Sequence, residues 1–234
     1  MYLTISKKYN LEQDGIVGPK TCNKLNKRYM NIQQRNYVIV TGIKSNKVYV
    51  RTTPSELEYT IMGTVNQGDA LRIYDTTTID GITWYKVYTS QYGYVYIHGD
   101  YVKKTALVLD IENQQLTYYK NGKILTSVPV ITGMKNISDT PKGKYILDPS
   151  NKKTNTNLLG QNADGTNYNA FVNYWMPFIQ ERGIGFHDAS WREIDDYTKT
   201  QYINNGSHGC VNMRPSDAQK LYQSITEKIY VIVK

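Results

Sequence analysis

Long apolar runs are missing from this chain of 234 residues. No stretch approaches the roughly 18 apolar residues that mark a bilayer span. Nor does a charged-then-apolar leader with a small-residue cleavage site stand at the start. The expectation is a soluble, globular protein whose compartment these absences leave open, because a leader is removed from a mature chain. Cysteine is scarce: Cys22 and Cys210 are the only two, too few for a disulfide framework. Histidine is scarce too, and His98, His187 and His208 all precede Cys210. That order excludes the papain-like wall endopeptidases, whose nucleophilic cysteine comes before its base. Phenylalanine occurs 3 times against 22 tyrosines, a balance suited to half-buried strands whose rings pack while their hydroxyls stay wet. Acidic residues are outnumbered, 20 against 28 Lys+Arg, for a net charge of +8. Such a balance favours an anionic partner: nucleic acid, anionic lipid or an anionic wall polymer. The positive charges are scattered, which argues against nucleic acid. With mean hydropathy −0.55, the length suffices for one core or two.

Three compositional regions follow one another. Residues 1–32 carry LEQDGIVGPKTCNKLNKRY, with turns at Asp14-Gly15 and Gly18-Pro19 and a short helical pattern through Cys22, Leu25 and Tyr29. So short a piece makes no stable core alone. Residues 37–103 change to strand-like runs, YVIV, VYVR, ALRIY, TWYKVY and YGYVYI, separated by Gly, Asp, Ser and Thr, a spacing that predicts a small β-barrel or sandwich. Residues 105–234 continue in β pattern with LVLDIE, LTYYKNGKIL and SVPVITG, and Asn121-Gly122 between two runs predicts a hairpin turn. A polar stretch from Pro149 to Asn173 reads as a functional loop. One helix is predicted late, from Ser216 and Gln219 at capping-box spacing and Ala218, Leu221, Tyr222 and Ile225 at helical spacing. Cys210 then lies in a turn entering that helix, near backbone N–H groups and partial positive charge.

The stretch NNGSHGCVNMRP at 204–215 concentrates the chemistry. A structural thiol is the commonest reading of a lone cysteine, but Gly206 and Gly209 with Ser207, His208 and Asn212 are poor packing material. Zinc is a second reading, with His187, His208 and Cys210 as ligands, although no paired-ligand spacing is present. A third is a nucleophile activated by a nearby imidazole and served by backbone N–H groups as an oxyanion hole. His187, in GIGFHDASWR, is the base candidate, with a packed core histidine as its alternative.

His187 followed by Ser207-His208-Gly209-Cys210-Val211-Asn212 resembles the signature of the L,D-transpeptidases with a YkuD-type catalytic domain: His, a spacer, then Ser/Thr-His-Gly-Cys, an apolar residue and Asn. LVLDIENQQLTYYKNGK, PVITG and TPKGKYIL resemble that domain's opening strands and its Thr-Pro-x-Gly element. The spacer of 19 residues, 188 to 206, runs a little longer than the family's usual one. The resemblance implies a β-sandwich catalytic domain with one helix after the nucleophile, behind a bacterial SH3-like barrel with Thr53 where a glycine is common. DGIVGPKT resembles part of a peptidoglycan-binding repeat. His98 is read as structural or surface.

Carried over, the resemblance makes Cys210 the nucleophile and His187 its base, oriented by the carbonyl of Asp188, whose carboxylate can add to or replace that role. His208 and Gly209 flank the developing oxyanion. Ser207 and Asn212 hold the loop, Arg214 meets a substrate carboxylate, and Trp191, Tyr174 and Met176 wall the acyl-donor groove. The implied reaction uses no metal or organic cofactor. Cys210 takes the acyl group of a peptidoglycan stem tetrapeptide, D-Ala leaves, and an amine of a second stem forms a 3→3 cross-link; water gives carboxypeptidase activity instead. The implied partners are donor and acceptor stem peptides, anionic wall polymers, and carbapenem-type β-lactams as covalent inhibitors. The implied place is extracytoplasmic, at the wall or membrane-wall interface, in peptidoglycan biosynthesis, wall organisation and cell shape. Two rivals remain: a sortase-like cysteine transpeptidase, which also orders His, Cys, Arg, and a non-catalytic wall-binding protein with a decayed domain.

Overall fold

Period-2 alternation builds the first sheet. In Lys47–Arg51 the two valines are buried while Tyr49 between them is 55% exposed, the pattern of a strand with one face on a core. The computed structural model describes residues 35–42, 46–161 and 165–234. The segment expected at 1–32 and Cys22 lie outside them. From Tyr37 to the end the chain is one compact unit.

Its first half contains β1 (Tyr37–Val40), β2 (Lys47–Arg51), β3 (Ile61–Asn66), β4 (Ala70–Ile79), β5 (Ile82–Thr89), β6 (Gly93–His98) and β7 (Val102–Lys103). They form a seven-stranded sheet in the order β3-β2-β6-β5-β4-β1-β7, curled around Val38, Val40, Val50, Val87, Val95 and Ile97. His98 is buried here against Trp84 and Tyr101, so it serves the SH3-like core.

The second half adds β8 (Ala106–Asp110), β9 (Gln115–Lys120), β10 (Lys123–Pro129), β11 (Gly143–Leu147), β12 (Lys153–Gln161), β13 (Asn167–Ile179), β14 (Ile184–Asp188), β15 (Val211–Met213) and β16 (Ile229–Val233). Two helices, α1 (Gln201–Asn205) and α2 (Pro215–Ser224), flank β15. Asn121 and Gly122 both take positive φ, 51° and 79°, which is why this pair closes the β9–β10 hairpin in a primed turn. The strands form a five-stranded sheet, β10-β9-β8-β16-β11, and a four-stranded one, β12-β13-β14-β15. One core that includes Leu107, Leu109, Leu116, Met176, Phe186 and Leu221 lies between them. Each such side chain contributes about 1.5–3 kcal/mol on burial. The fold is therefore mainly β: an SH3-like sheet followed by a two-sheet sandwich.

Three local expectations are corrected. The polar stretch 149–173 is largely a long hairpin, β12–β13, because its Thr, Leu, Tyr and Phe residues alternate across the strands and pair in register from Lys153↔Trp175 to Gln161↔Asn167. Ser216 does not cap the late helix; Arg214 is the N-cap and Pro215 takes the first turn, where its missing N–H costs nothing. And α2 does not follow Cys210 directly, since β15 intervenes, while the short α1 precedes the cysteine.

Candidate active site

The middle strand of the four-stranded sheet places His187. β14 pairs with β13 on one side and, in parallel, with β15 on the other, so His187 sits opposite both Trp175 and Asn212. All of β14 is buried. The His187 Nδ1 lies 2.9 Å from the Asp188 carbonyl oxygen. A carbonyl only accepts, so Nδ1 carries the proton and Nε2 keeps its lone pair. The Asp188 carboxylate takes no part in this: it accepts from the Asn173 amide at 2.8 Å and the Tyr174 N–H at 2.7 Å, tying β13 to β14. Its hydrogen bond to the imidazole comes from the backbone carbonyl, and the carboxylate adds only its charge, which favours the protonated ring.

Asn212 extends the line beyond the ring. Its carboxamide oxygen accepts from Arg192 Nε at 2.7 Å and Nη2 at 3.3 Å, and its NH2 donates to His187 Nε2 at 3.1 Å. Only this orientation satisfies all three groups, since the reverse sets amide hydrogens against a guanidinium.

The loop that carries Cys210 is clamped from both sides. A Cβ on Gly206 would run into the Met134 backbone, and Gly209 takes φ +118°, so both need glycine. Ser207 Oγ accepts the Gly209 N–H at 3.1 Å and donates to the Cys210 carbonyl at 2.5 Å. Thr140, the threonine of the Thr-Pro-x-Gly element, accepts from the Gly133 N–H at 2.9 Å and donates to the Gly209 carbonyl at 2.8 Å. Ser138 Oγ donates to the Ser207 carbonyl at 2.6 Å.

Cys210 and His187 line one cavity of ≈ 360 Å³. Its walls are Leu158, Leu159 and Tyr168 of the β12–β13 hairpin on one side, and Trp191, Arg192 and Asn212 on the other. Tyr168 stacks on His208, with ring centroids 5.0 Å apart and planes 12° from parallel, joining hairpin to cysteine loop. Trp191 is 51% exposed at the rim, 5.9 Å from the His187 ring. The Cys210 thiol donates to the Gly183 carbonyl at 3.4 Å.

Burial pushes the thiol up to about 11, against a lowering pull from the Gly185 N–H. Burial also pushes the His187 pKa down, assisted by the Arg192 charge and opposed by the Asp188 carbonyl and carboxylate. Both shifts favour the neutral forms, a thiol and an imidazole, over an ion pair. Alkylation of the unliganded protein by iodoacetamide should therefore accelerate continuously as pH rises toward the thiol's raised value. A rate already flat between about pH 5 and 9 would instead reveal a preformed thiolate.

Of the residues singled out in the sequence, Cys210, His187, His208, Ser207, Asn212 and Trp191 line this cavity, and Gly209 stands in its loop. Three do not. Met176 is fully buried in the core, and Tyr174 packs against Tyr222 at 5.3 Å. Strand alternation explains both: Trp175 faces the cavity, so 174 and 176 face the other way. Arg214 turns from the cavity, donating to the Ile194 carbonyl at 3.2 Å with its guanidinium 5.2 Å from the Tyr197 ring centre. Residues that the sequence left unremarked, Tyr168 and Arg192, are brought in. Tyr168 had one available signal, an aromatic in a polar stretch, and Arg192 had another, its place next to Trp191. The zinc reading needed His187, His208 and Cys210 to converge, and among the described residues no three His, Cys, Asp or Glu side chains do.

A loop-borne thiol and a buried imidazole sharing one cavity, on a two-sheet sandwich behind an SH3-like sheet, define a cysteine–histidine site on a mainly β scaffold. The chain belongs to the YkuD family: residues 104–233 match the L,D-transpeptidase catalytic domain. Residues 46–103 match the bacterial SH3 domain. L,D-transpeptidase 2 of Mycobacterium tuberculosis is 32% identical over 132 residues, which cover 54% of this chain and 29% of that protein. The match thus spans less than a third of that relative's length. The NMR structure of the catalytic domain from E. faecium L,D-transpeptidase is 35% identical, covering 56% of this chain and 96% of that one, with TM-score 0.49. The structure of the Ldtfm-avibactam carbamoyl enzyme covers 91% of this chain and 80% of its own at 23% identity and TM-score 0.53, a likeness that shows the fold.

Proposed function

We propose that this protein is a cysteine-dependent L,D-transpeptidase that joins peptidoglycan stem peptides through a thioester. The observation that carries the reading is the shared cavity of Cys210 and His187, with Nε2 as the ring's accepting nitrogen. Cys210 Sγ attacks the carbonyl between the third residue of a stem tetrapeptide and its terminal D-Ala as its proton passes to His187 Nε2, which the Asn212 NH2 holds at 3.1 Å in the resting site and must release for this step. The Gly209 N–H is committed to Ser207 Oγ, which leaves the Cys210 N–H as the oxyanion donor from the loop. Collapse of the tetrahedral adduct breaks the C–N bond, and the imidazolium returns its proton to the departing D-Ala amine. The side-chain amine of a second stem's diamino acid then attacks the thioester, with His187 again taking the proton, and a 3→3 cross-link forms. A thioester suits this step because amines displace thiolates readily. Water in place of the amine gives L,D-carboxypeptidase activity.

The net charge of +8 and the SH3-like sheet support an extracytoplasmic site of action near anionic wall polymers. A carbapenem's strained carbonyl offers Cys210 the same attack. The sortase-like reading loses its arginine, because Arg214 points away from the cavity. A wall-binding protein with a decayed site would have no reason to keep thiol, base and clamped loop together.

Incubating the protein with purified stem tetrapeptide, or separately with a sorting-signal peptide, tests the assignment. The expected result is D-Ala release and a cross-linked dimer lighter than two tetrapeptides by one D-Ala. Cleavage of the sorting peptide with an intact tetrapeptide would overturn it.

A further inference from the structure

We infer that Arg192 forms an anion-binding subsite on the wall of the thiol cavity and takes the terminal carboxylate of the acyl-donor peptide. This rests on the transpeptidase reading and adds the group that selects the donor's end.

Among the described residues, Arg192 is the one Lys or Arg side chain on the cavity wall, and no Asp or Glu lines it. Its guanidinium is half-buried, and among the described residues no carboxylate forms an ion pair with it. Burial and not a partner dominates its surroundings: desolvation lowers its pKa, while Tyr197 and Asp196 oppose that. Two of its five N–H groups, one on Nε and one on Nη2, are spent on the Asn212 carboxamide oxygen. That grip fixes the plane of the guanidinium, and three N–H groups remain for a ligand. A planar, oriented fork on a half-buried cation is the geometry that takes a carboxylate.

Its position selects which carboxylate. The departing D-Ala amine must receive its proton from His187 Nε2. In D-Ala the carboxylate is attached one carbon beyond that amine. In the protein the guanidinium stands one side chain beyond Nε2, in the sequence His187, Asn212, Arg192. The leaving residue's amine and carboxylate thus match base and guanidinium in order. A peptide ending in an amide presents no anion there, and one extended by a further residue carries its anion a residue farther from the scissile bond.

The test measures binding without turnover. Stem tetrapeptide as the free acid, and the same peptide as its C-terminal carboxamide, are titrated calorimetrically into Cys210→Ala protein, then into Cys210→Ala proteins that also carry Arg192→Gln or Arg192→Lys. The parent should bind the acid about 10- to 100-fold more tightly than the carboxamide, the scale of a charge-assisted pair. Arg192→Gln should bring that ratio close to one while the carboxamide binds as before, and Arg192→Lys should keep part of it. Unchanged carboxamide affinity also shows that the variant is folded. A parent with no preference or no binding, a ratio that survives Arg192→Gln, or equal weakening of both peptides would each overturn the subsite; the last would reduce Arg192 to a prop for Asn212. The two readings fail separately. A ratio lost with Arg192→Gln in a protein whose wild type leaves tetrapeptide intact keeps the subsite and sinks the transpeptidase, and a persistent ratio alongside wild-type turnover does the reverse.

Discussion

Cys210→Ala is expected to end D-Ala release from a stem tetrapeptide, a loss of at least about 10⁴-fold, because removing a nucleophile removes the covalent route itself. Covalent labelling by a carbapenem should vanish with it. Fold should not: Cys210 is partly exposed in a loop held by Gly206, Ser207 and Thr140, and none of those contacts uses the sulfur. A melting transition close to wild type would separate chemistry from collapse. Cys22→Ala is the control, with turnover retained. Were the Cys22 variant the dead one, the nucleophile would have been misassigned.

His187→Gln carries the second large effect, about 10²- to 10⁴-fold in turnover, the scale of general acid–base catalysis. A thiol whose pKa burial raises ionises little at neutral pH, so its attack depends on a partner that takes the proton, and His187 is that partner in this reading. The pH profile gives the sign. Burial lowers the His187 pKa, so the ring stays neutral and able to accept a proton down through its ordinary value of about 6.5. Activity should rise with pH through the depressed value and hold level above it. In the His187→Gln variant that acid limb should disappear. Its persistence would assign the limb to another group.

The order of elements was legible in the sequence where a local rule acts alone. Asn121-Gly122 announced its hairpin because two consecutive positive φ angles suit few other pairs, and the strand-like runs of the SH3-like half alternate around one core. SHGCVN and the histidine upstream single out Cys210 and His187 as candidates, and the structure brings both side chains to one cavity. What escaped was set by pairing at a distance. The stretch 149–173 reads as a loop because its polar residues show no single core face; as a hairpin it walls a cavity with Leu158, Leu159 and Tyr168. The resemblance puts Tyr174 and Met176 on the groove, yet the register Trp175↔His187 turns both toward the other face. Arg214 looked suited to a carboxylate from its place after Asn212, whereas the turn after β14 brings Arg192 onto Asn212 instead. Thr140 gives the Thr-Pro-x-Gly element its reason: one hydroxyl bridges Gly133 and Gly209, an economy visible only once the two loops meet.

Intact-mass spectrometry of the protein after exposure to stem tetrapeptide, followed by peptide mapping, tests most directly whether a thiol at 210 carries the acyl group. The account predicts an adduct equal to the tetrapeptide less D-Ala, confined to the peptide bearing Cys210 and discharged when an acceptor stem is added. An adduct on any other residue, or turnover to cross-linked product with no acyl-enzyme trapped at any time, would contradict it.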